Sequence, residues 1–299
     1  MVGSAIVRRL QSAGFVDLIL PARSELDLLD QRATLAFLEA ERLDFVIVAA
    51  AKVGGIHANN TWRGQFIYEN LAIETNLIHG AHVAGVQNLI FMGSSCAYPR
   101  DCPQPIREEY LLTGPLEPTN EAYAVAKIAG IKMCDAYRSQ YGRRYVSLMP
   151  TNLYGPRDNY DLKSSHVLPA LIRKTVGALN RREDKIVVWG SGKPRREFLH
   201  VDDLAEACVF LMAHVWDKSP PLVNIGSGED ISIEELARTI MDVIGFRGSL
   251  EFDTSMPDGT PRKLLDTRLI NQLGWRPRIA LRDGIRLSFQ DYLASSSHA

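Results

Sequence analysis

Short runs of β-branched and apolar residues at 16–20, 45–49, 89–92 and 145–149 alternate with longer stretches whose apolar residues recur at helical spacing. That alternation leaves the first half of the chain one economical architecture, because parallel strands joined by helical crossovers bury both faces of a sheet. Helices are expected at 4–13, 31–42, 65–84 and 119–141, and in the third of these Ile67, Leu71, Ile78 and Ala81 mark a buried face. The expected fold is α/β, a Rossmann-type doubly wound parallel sheet with its ligand crevice beyond the carboxyl ends of the strands. After Tyr154 the pattern becomes mixed: a loop rich in Pro, Asp and Asn at 155–165, a helix from His166, a strand at 186–189 and a helix at 201–214. The run at 222–225 reads as one more strand returning to the sheet, followed by a helix at 231–244, a strand at 249–252 and a final helix at 281–293. Residues 1–154, with 201–228 returning to them, are expected to form one domain, and 155–299 mainly a smaller α/β domain.

Composition narrows the partners. Thirty-four Lys+Arg against 35 Asp+Glu give a net charge of −1, so a broad basic field for gripping nucleic acid is excluded and any anionic ligand must be met locally. The longest apolar run, 45–51, is far short of the roughly 20 residues that span a bilayer, and the opening residues lack a signal-peptide pattern, so no membrane partner is expected and the location reads as cytoplasmic. The cysteines Cys96, Cys102, Cys134 and Cys208 show no CxxC spacing, which argues against a disulfide framework, and no metal site is expected.

Sheets that bind dinucleotides open with a buried strand, a Gly-rich turn and a helix whose N-terminus receives the pyrophosphate. Met1-Val2-Gly3-Ser4-Ala5-Ile6 matches the last glycine of such a turn running into its helix, which puts the first strand and most of the turn outside the chain as given. Either the true start lies upstream, which we expect, or the chain is shortened and its pyrophosphate site damaged. The alternative for Gly3 is an ordinary glycine near a chain end.

The strongest chemical signal is Tyr123-Ala124-Val125-Ala126-Lys127, because positions i and i+4 of a helix share a face and bring a phenol near an ammonium. A phenol of pKa about 10 exchanges protons poorly at neutrality, and a neighbouring cation lowers that value. A core tyrosine with an unrelated lysine is the bland alternative. Gly93-Ser94-Ser95-Cys96 follows the strand at 89–92, and Pro150-Thr151-Asn152-Leu153-Tyr154-Gly155-Pro156 follows that at 145–149, so both face the ligand edge of the sheet.

Ser94, Tyr123 and Lys127 in this order, with the loop 150–156 and Arg196-Glu197-Phe198-Leu199-His200-Val201-Asp202-Asp203, resemble the extended short-chain dehydrogenase/reductases acting on nucleotide sugars. Further motifs, at 49–55, 117–121, 165–167 and 257–263, resemble the group in that family that both epimerises C3 and C5 and reduces C4 of a GDP-linked 4-keto sugar. The resemblance covers essentially the whole chain. It implies NADP(H) as cofactor, a GDP-sugar substrate and a homodimer built from the helices near 65–84 and 119–141. It makes 1–154 the NADP-binding domain and 155–299 mainly the substrate-binding domain.

Residue chemistry agrees with parts of this. Arg23, beyond the run at 16–20, suits a 2′-phosphate, although Glu25 nearby weakens the argument. Asp27 and Leu28 would lie beside the adenine, and Ala49, Ala50 and Ala51 are small enough for the backbone to approach a cofactor. The resemblance adds Gly3, Pro150, Asn152, Leu153 and His166 to the cofactor site, together with Ser94, Tyr123 and Lys127. It assigns Cys96 and His166 to proton exchange at C3 and C5, and thiol and imidazole pKa values of about 8.5 and 6.5 suit that task. Tyr123 would supply the proton in the reduction, Lys127 would tune it and hold the nicotinamide ribose, and Ser94 would polarise the carbonyl. Lys174, Trp189, Arg196 and Asp258 are implied substrate contacts, with Arg195 and Arg262 as weaker candidates. The competing readings are a nucleotide-sugar 4-epimerase or 4,6-dehydratase of the same family, and a non-catalytic dinucleotide-sensing protein.

Overall fold

The computed structural model describes residues 1–256 and 258–296; Pro257, which heads the motif at 257–263, and residues 297–299 of the tail lie outside the described residues. In chain order the first elements are α1 (Val2–Ser12), α2 (Gln31–Glu41), β1 (Phe45–Val48), α3 (Ile56–Thr61), α4 (Arg63–Val83), β2 (Asn88–Met92), α5 (Glu121–Tyr141) and β3 (Arg144–Pro150). They are followed by β4 (Asn152–Tyr154), α6 (Val167–Arg181), β5 (Lys185–Trp189), β6 (Arg195–His200), α7 (Val201–Phe210), β7 (Leu222–Ile225) and β8 (Asp230–Ser232). The last are α8 (Ile233–Ile244), β9 (Ser249–Asp253), β10 (Arg262–Lys263), α9 (Arg268–Leu273) and α10 (Leu281–Ser296).

The main sheet has the order β1-β2-β3-β7, with Val46 opposite Leu89, Leu89 opposite Tyr145 and Leu148 opposite Val223 in parallel ladders. Both faces are covered, which is why β2 and β3 read as nearly unbroken apolar runs. Alternation along each strand still sorts the side chains. Ile90, Met92, Val146 and Leu148 join Ala5, Leu10, Leu204 and Val223 beneath α1 and α7. Leu89, Phe91, Tyr145 and Met149 join Leu38, Ile78 and Ile131 beneath α2, α4 and α5. Each such fully buried side chain contributes about 1.5–3 kcal/mol relative to exposure.

The second region carries β10-β6-β4 in parallel with β8 antiparallel on β6, and a separate parallel pair β5-β9. Its core gathers Leu168, Ile172, Phe198, Leu236, Ile240 and Ile285. Helix α8 starts at a reciprocal cap, Glu235 N–H donating to Ser232 Oγ at 3.1 Å and Ser232 N–H to Glu235 Oε2 at 2.9 Å. Among the described residues no helix is long and apolar enough to cross a membrane.

Residues 16–20 are not the strand their composition suggests. β1 ends the main sheet, no described strand lies beyond it, and 16–20 carry no regular structure, with Leu18 N–H donating to Val16 O at 3.1 Å and Val16 83% and Leu20 57% exposed. A β-branched run becomes a strand only when a neighbour takes its backbone groups and covers its side chains; here no described strand pairs with it, although half-buried Leu18 packs against the core. The helix expected at 201–214 stops as an α-helix at Phe210 and continues as a wider turn through Leu211–Val215.

Buried Asn224 on β7 ties three segments together. Its side-chain N–H groups donate to Ile106 O at 2.9 Å and Asp266 O at 3.2 Å, and its Oδ1 accepts from the Tyr98 hydroxyl at 2.6 Å. Removing that hydroxyl strands a buried acceptor, so Tyr98→Phe is expected to cost about 1–3 kcal/mol. Urea denaturation should show a lower midpoint at an unchanged slope; an unchanged midpoint contradicts the assignment.

Candidate active site

The site begins where β2 ends. Gly93 N–H donates to Leu148 O at 2.8 Å, and a Cβ on Gly93 would lie 2.7 Å from Met149 Sδ and 2.9 Å from Leu148 O, so only glycine lets the chain leave the sheet this close to β3. The next residues form a single 3-10 turn, Ser95–Ala97, capped by Ser94, whose Oγ accepts from Cys96 N–H at 3.2 Å. One turn therefore carries both Ser94 and half-buried Cys96.

Helix α5 brings Tyr123 and Lys127 to this turn. The Tyr123 pKa is pushed up by burial first and by Cys96 and Glu74 next, while a hydrogen bond with Ser94 acts in the opposite direction, so Ser94, Cys96 and Tyr123 are mutual neighbours. Lys127 is buried, with its ammonium 5.8 Å from the Tyr123 ring centroid and 4.8 Å from that of Phe91. Its counter-ion is Glu74 Oε1 on α4, at 2.9 Å. The expected lowering of the phenol by Lys127 is not found: the ammonium pairs with Glu74, and burial disfavours the phenolate.

His166 is the N-cap of α6, though its side chain caps nothing. The residue is exposed, and desolvation by the surrounding protein lowers its pKa, favouring the neutral imidazole. The loop before it is held by the glycines that follow β1. Gly55 N–H donates to Ser164 O at 2.9 Å, and a Cβ on Gly55 would collide with Ser165 O. Lys52 is pinned on the same side by Asn70, which accepts from Lys52 N–H at 2.9 Å and donates to Lys52 O at 3.0 Å.

On the second region's side, Lys263 Nζ lies 3.9 Å from Cys96 Sγ. Arg196 is half-buried, donates to Arg195 O at 2.8 Å, and has a pKa lowered by burial against the opposing pull of Cys96, Glu117 and Asp258. Asp258 is exposed and accepts from Ser191 N–H at 2.6 Å and Ser191 Oγ at 2.8 Å. A cavity of about 280 Å³ is lined by Ile56, Arg100, Glu117, Thr119, Asp258 and Gly259. Lys174 Nζ donates to Val187 O at 3.0 Å and lies 4.9 Å from the centroid of half-exposed Trp189. Arg195 and Arg262 both pair with Asp230, which links β6, β8 and β10.

The residues expected around a dinucleotide lie at the ends of β1 and β3 and in the turn before α2. Ala49, Ala50 and Ala51 are half-buried at the carboxyl end of β1, and a Cβ on Gly3 would come 4.0 Å from that of Ala49. The N-terminus of α1 has no side-chain cap, so its first N–H groups are available to an anion. Arg23 and Asp27 are exposed, and Arg23 has no ion-pair partner among the described residues; Leu28 O accepts from Asn76 Nδ2 at 2.8 Å. Pro150 is buried at the end of β3, and Asn152 and Leu153 are half-buried on β4, with Asn152 Nδ2 donating to Glu197 O at 2.7 Å. This set fits a dinucleotide: small residues at a strand end, a free helix N-terminus and an unpaired arginine.

Sequence reasoning missed Glu74 and the Gly55–Ser164 link, and it placed Glu117 and Lys263 in motifs without giving either a role. Glu74 had a visible signal, since it falls between Leu71 and Ile78 on the same helical stripe, an acid where burial was expected. The others depend on contacts between segments far apart in the chain.

Comparison with known proteins places this geometry. Residues 1–226 match the model of the NAD dependent epimerase/dehydratase family. GDP-L-fucose synthase of Escherichia coli K12 is 54% identical over 300 residues, covering 98% of this chain and 94% of the relative. GDP-L-fucose synthase 1 of Arabidopsis thaliana is 55% identical over 295 residues, covering 98% and 90%. Among solved structures, the GDP-L-fucose synthetase of Naegleria fowleri bound to NADP superposes with a TM-score of 0.90 at 28% identity, covering 100% of this chain and 92% of that one. With the family model spanning most of its length and relatives above half identity nearly end to end, the chain belongs to the NAD dependent epimerase/dehydratase family.

Proposed function

We propose that this protein is a GDP-L-fucose synthase, converting GDP-4-keto-6-deoxy-D-mannose to GDP-L-fucose by inversion at C3 and C5 and reduction at C4. The observation that carries this reading is the meeting of Ser94, Cys96 and Tyr123 at the carboxyl end of β2, where a hydroxyl, a thiol and a phenol are neighbours. The identity to GDP-L-fucose synthases supports it.

A 4-keto group acidifies the hydrogens on both neighbouring carbons, so inversion needs one group to remove a proton and another to return one from the opposite face. Cys96 and His166 take these parts. Lys263, a cation beside Cys96, stabilises the negative charge that develops on the sugar oxygen. Neutral His166 is able to accept a proton. In the reduction, Ser94 donates to the C4 carbonyl oxygen and Tyr123 gives that oxygen its proton. Burial raises the phenol, which keeps Tyr123 in the protonated form that a general acid requires.

NADPH supplies the hydride. Arg23 would meet the 2′-phosphate, Ala49, Ala50 and Ala51 would let the backbone approach, and Lys127 would hold the nicotinamide ribose. Gly3, Asp27, Leu28, Pro150, Asn152 and Leu153 complete the cofactor side. The substrate's diphosphate falls to Arg196, with Lys174, Trp189 and Asp258 as further substrate contacts. We also propose that the chain divides into residues 1–154 with 201–228 for the cofactor and mainly 155–299 for the substrate. It dimerises through α4 and α5, which leave Tyr68, Val83, Val125 and Tyr141 exposed.

Three substitutions separate the steps. Tyr123→Phe should slow NADPH oxidation by about a hundredfold or more while solvent deuterium still enters at C3 and C5; equal loss of both defeats the division of labour. Cys96→Ser should cut the exchange by about a hundredfold, because a hydroxyl ionises far less readily than a thiol, and an unimpaired exchange rate removes Cys96 from the mechanism. Gly55→Ala should push Ser165 aside and shift His166, slowing exchange by about tenfold; wild-type exchange in this variant would show that the glycine contact does not position the histidine.

A further inference from the structure

The reaction proposed above makes no use of Glu74. Its carboxylate is 1% exposed and faces α5 from a stripe of α4 that also carries Phe66, Asn70, Leu77, Ile78 and Ala81. Oε1 lies 2.9 Å from Lys127 Nζ, and neither Glu74 oxygen meets any other hydrogen-bond donor among the described residues. Gly130, three residues beyond Lys127, makes room for the pair: a Cβ there would lie 2.8 Å from Glu74 Oε2 and would collide with the Phe91 ring. The same Phe91 ring presents its face to the ammonium, with the centroid 4.8 Å from Nζ. The ammonium thus sits between a carboxylate, an aromatic face and the phenol-bearing turn of its own helix.

Stability alone does not account for such a seat. A buried Lys–Glu pair between two helices is commonly matched or bettered by apolar side chains of similar volume. A lysine that must present its charge at one point beside a reacting phenol needs a fixed counter-ion.

We infer that Glu74 is the positioning residue for Lys127, with Gly130 and Phe91 completing the seat that fixes the ammonium for the reduction. This rests on the reading that Lys127 serves that step. Burial pushes the Glu74 pKa up to about 7, Lys127 opposes the rise, and Tyr123 and Cys134 are the other titratable groups that interact with it. The carboxylate keeps its charge chiefly through the lysine, so the two groups hold one another in place.

The test compares full-length wild type with Glu74→Gln, Glu74→Asp and Lys127→Met, reading NADPH oxidation, solvent deuterium exchange at C3 and C5, and the thermal midpoint. Glu74→Gln keeps the shape and loses the charge. It should lower kcat for reduction roughly tenfold or more, leave exchange close to wild type, and be partly rescued in Glu74→Asp, which restores the charge on a shorter arm. Should Glu74→Gln fail to fold, Glu74→Asp is read alone, with a selective fall in reduction as the expected result. Wild-type reduction in the Glu74 variants overturns the inference. So does a parallel loss of reduction and exchange, which marks a purely structural role, or an aspartate variant no better than the glutamine one. Normal reduction in Lys127→Met would instead sink the underlying reading of Lys127, and the inference with it. Loss of reduction in Lys127→Met but not in Glu74→Gln would sink the Glu74 inference alone.

Discussion

Parallel pairing of β1, β2, β3 and β7 is the constraint on which the site depends. Because the four strands run the same way, their carboxyl ends fall along one edge, and the segments leaving β1, β2 and β3 must emerge side by side. The sequence at each exit is small or turn-forming: alanines and glycines after β1, Gly93 after β2, Thr151 and Asn152 after β3. Backbone can pass closely there, and polar side chains are brought toward one edge of the sheet.

Electrostatics then differentiates groups that are close together. Tyr123 is held in its neutral form by burial and exposed His166 by desolvation from the protein around it, while a cation from the second region, Lys263, stands near Cys96. A thiol under cationic influence and a desolvated imidazole suit proton exchange, whereas a protonated phenol suits donation to an alkoxide. Two kinds of chemistry in one crevice thus follow from which side chains are buried and which charges face them. The lysine on the phenol's own helix is turned toward a carboxylate from the neighbouring helix, so its influence on the phenol is indirect.

Much of this was legible in the residues. Strands β1, β2, β3 and β7 announce themselves because both sheet faces are buried and leave long apolar runs, and helical spacing places Tyr123 and Lys127 on one face of α5, with the other motifs giving the pair its meaning. The run at 16–20 has the composition of a strand, but strand formation depends on a neighbour that local sequence does not report, and the segment lies exposed. For Arg195 and Arg262, the weaker candidates for the diphosphate, residue type shows a cation, and only the fold shows that both pair with Asp230. Lys263 and Glu117 reach the site from opposite parts of the chain, and no spacing rule connects them to Cys96 or Arg196.

The central claim is that one crevice exchanges protons with water at two carbons and delivers hydride to the carbon between them. Nuclear magnetic resonance of the product formed from GDP-4-keto-6-deoxy-D-mannose and unlabelled NADPH in heavy water tests it most directly. The account predicts deuterium at C3 and C5, protium at C4, and one NADPH oxidised per product molecule. Deuterium at C4, protium retained at C3 and C5, or product formed without net oxidation of NADPH would contradict it.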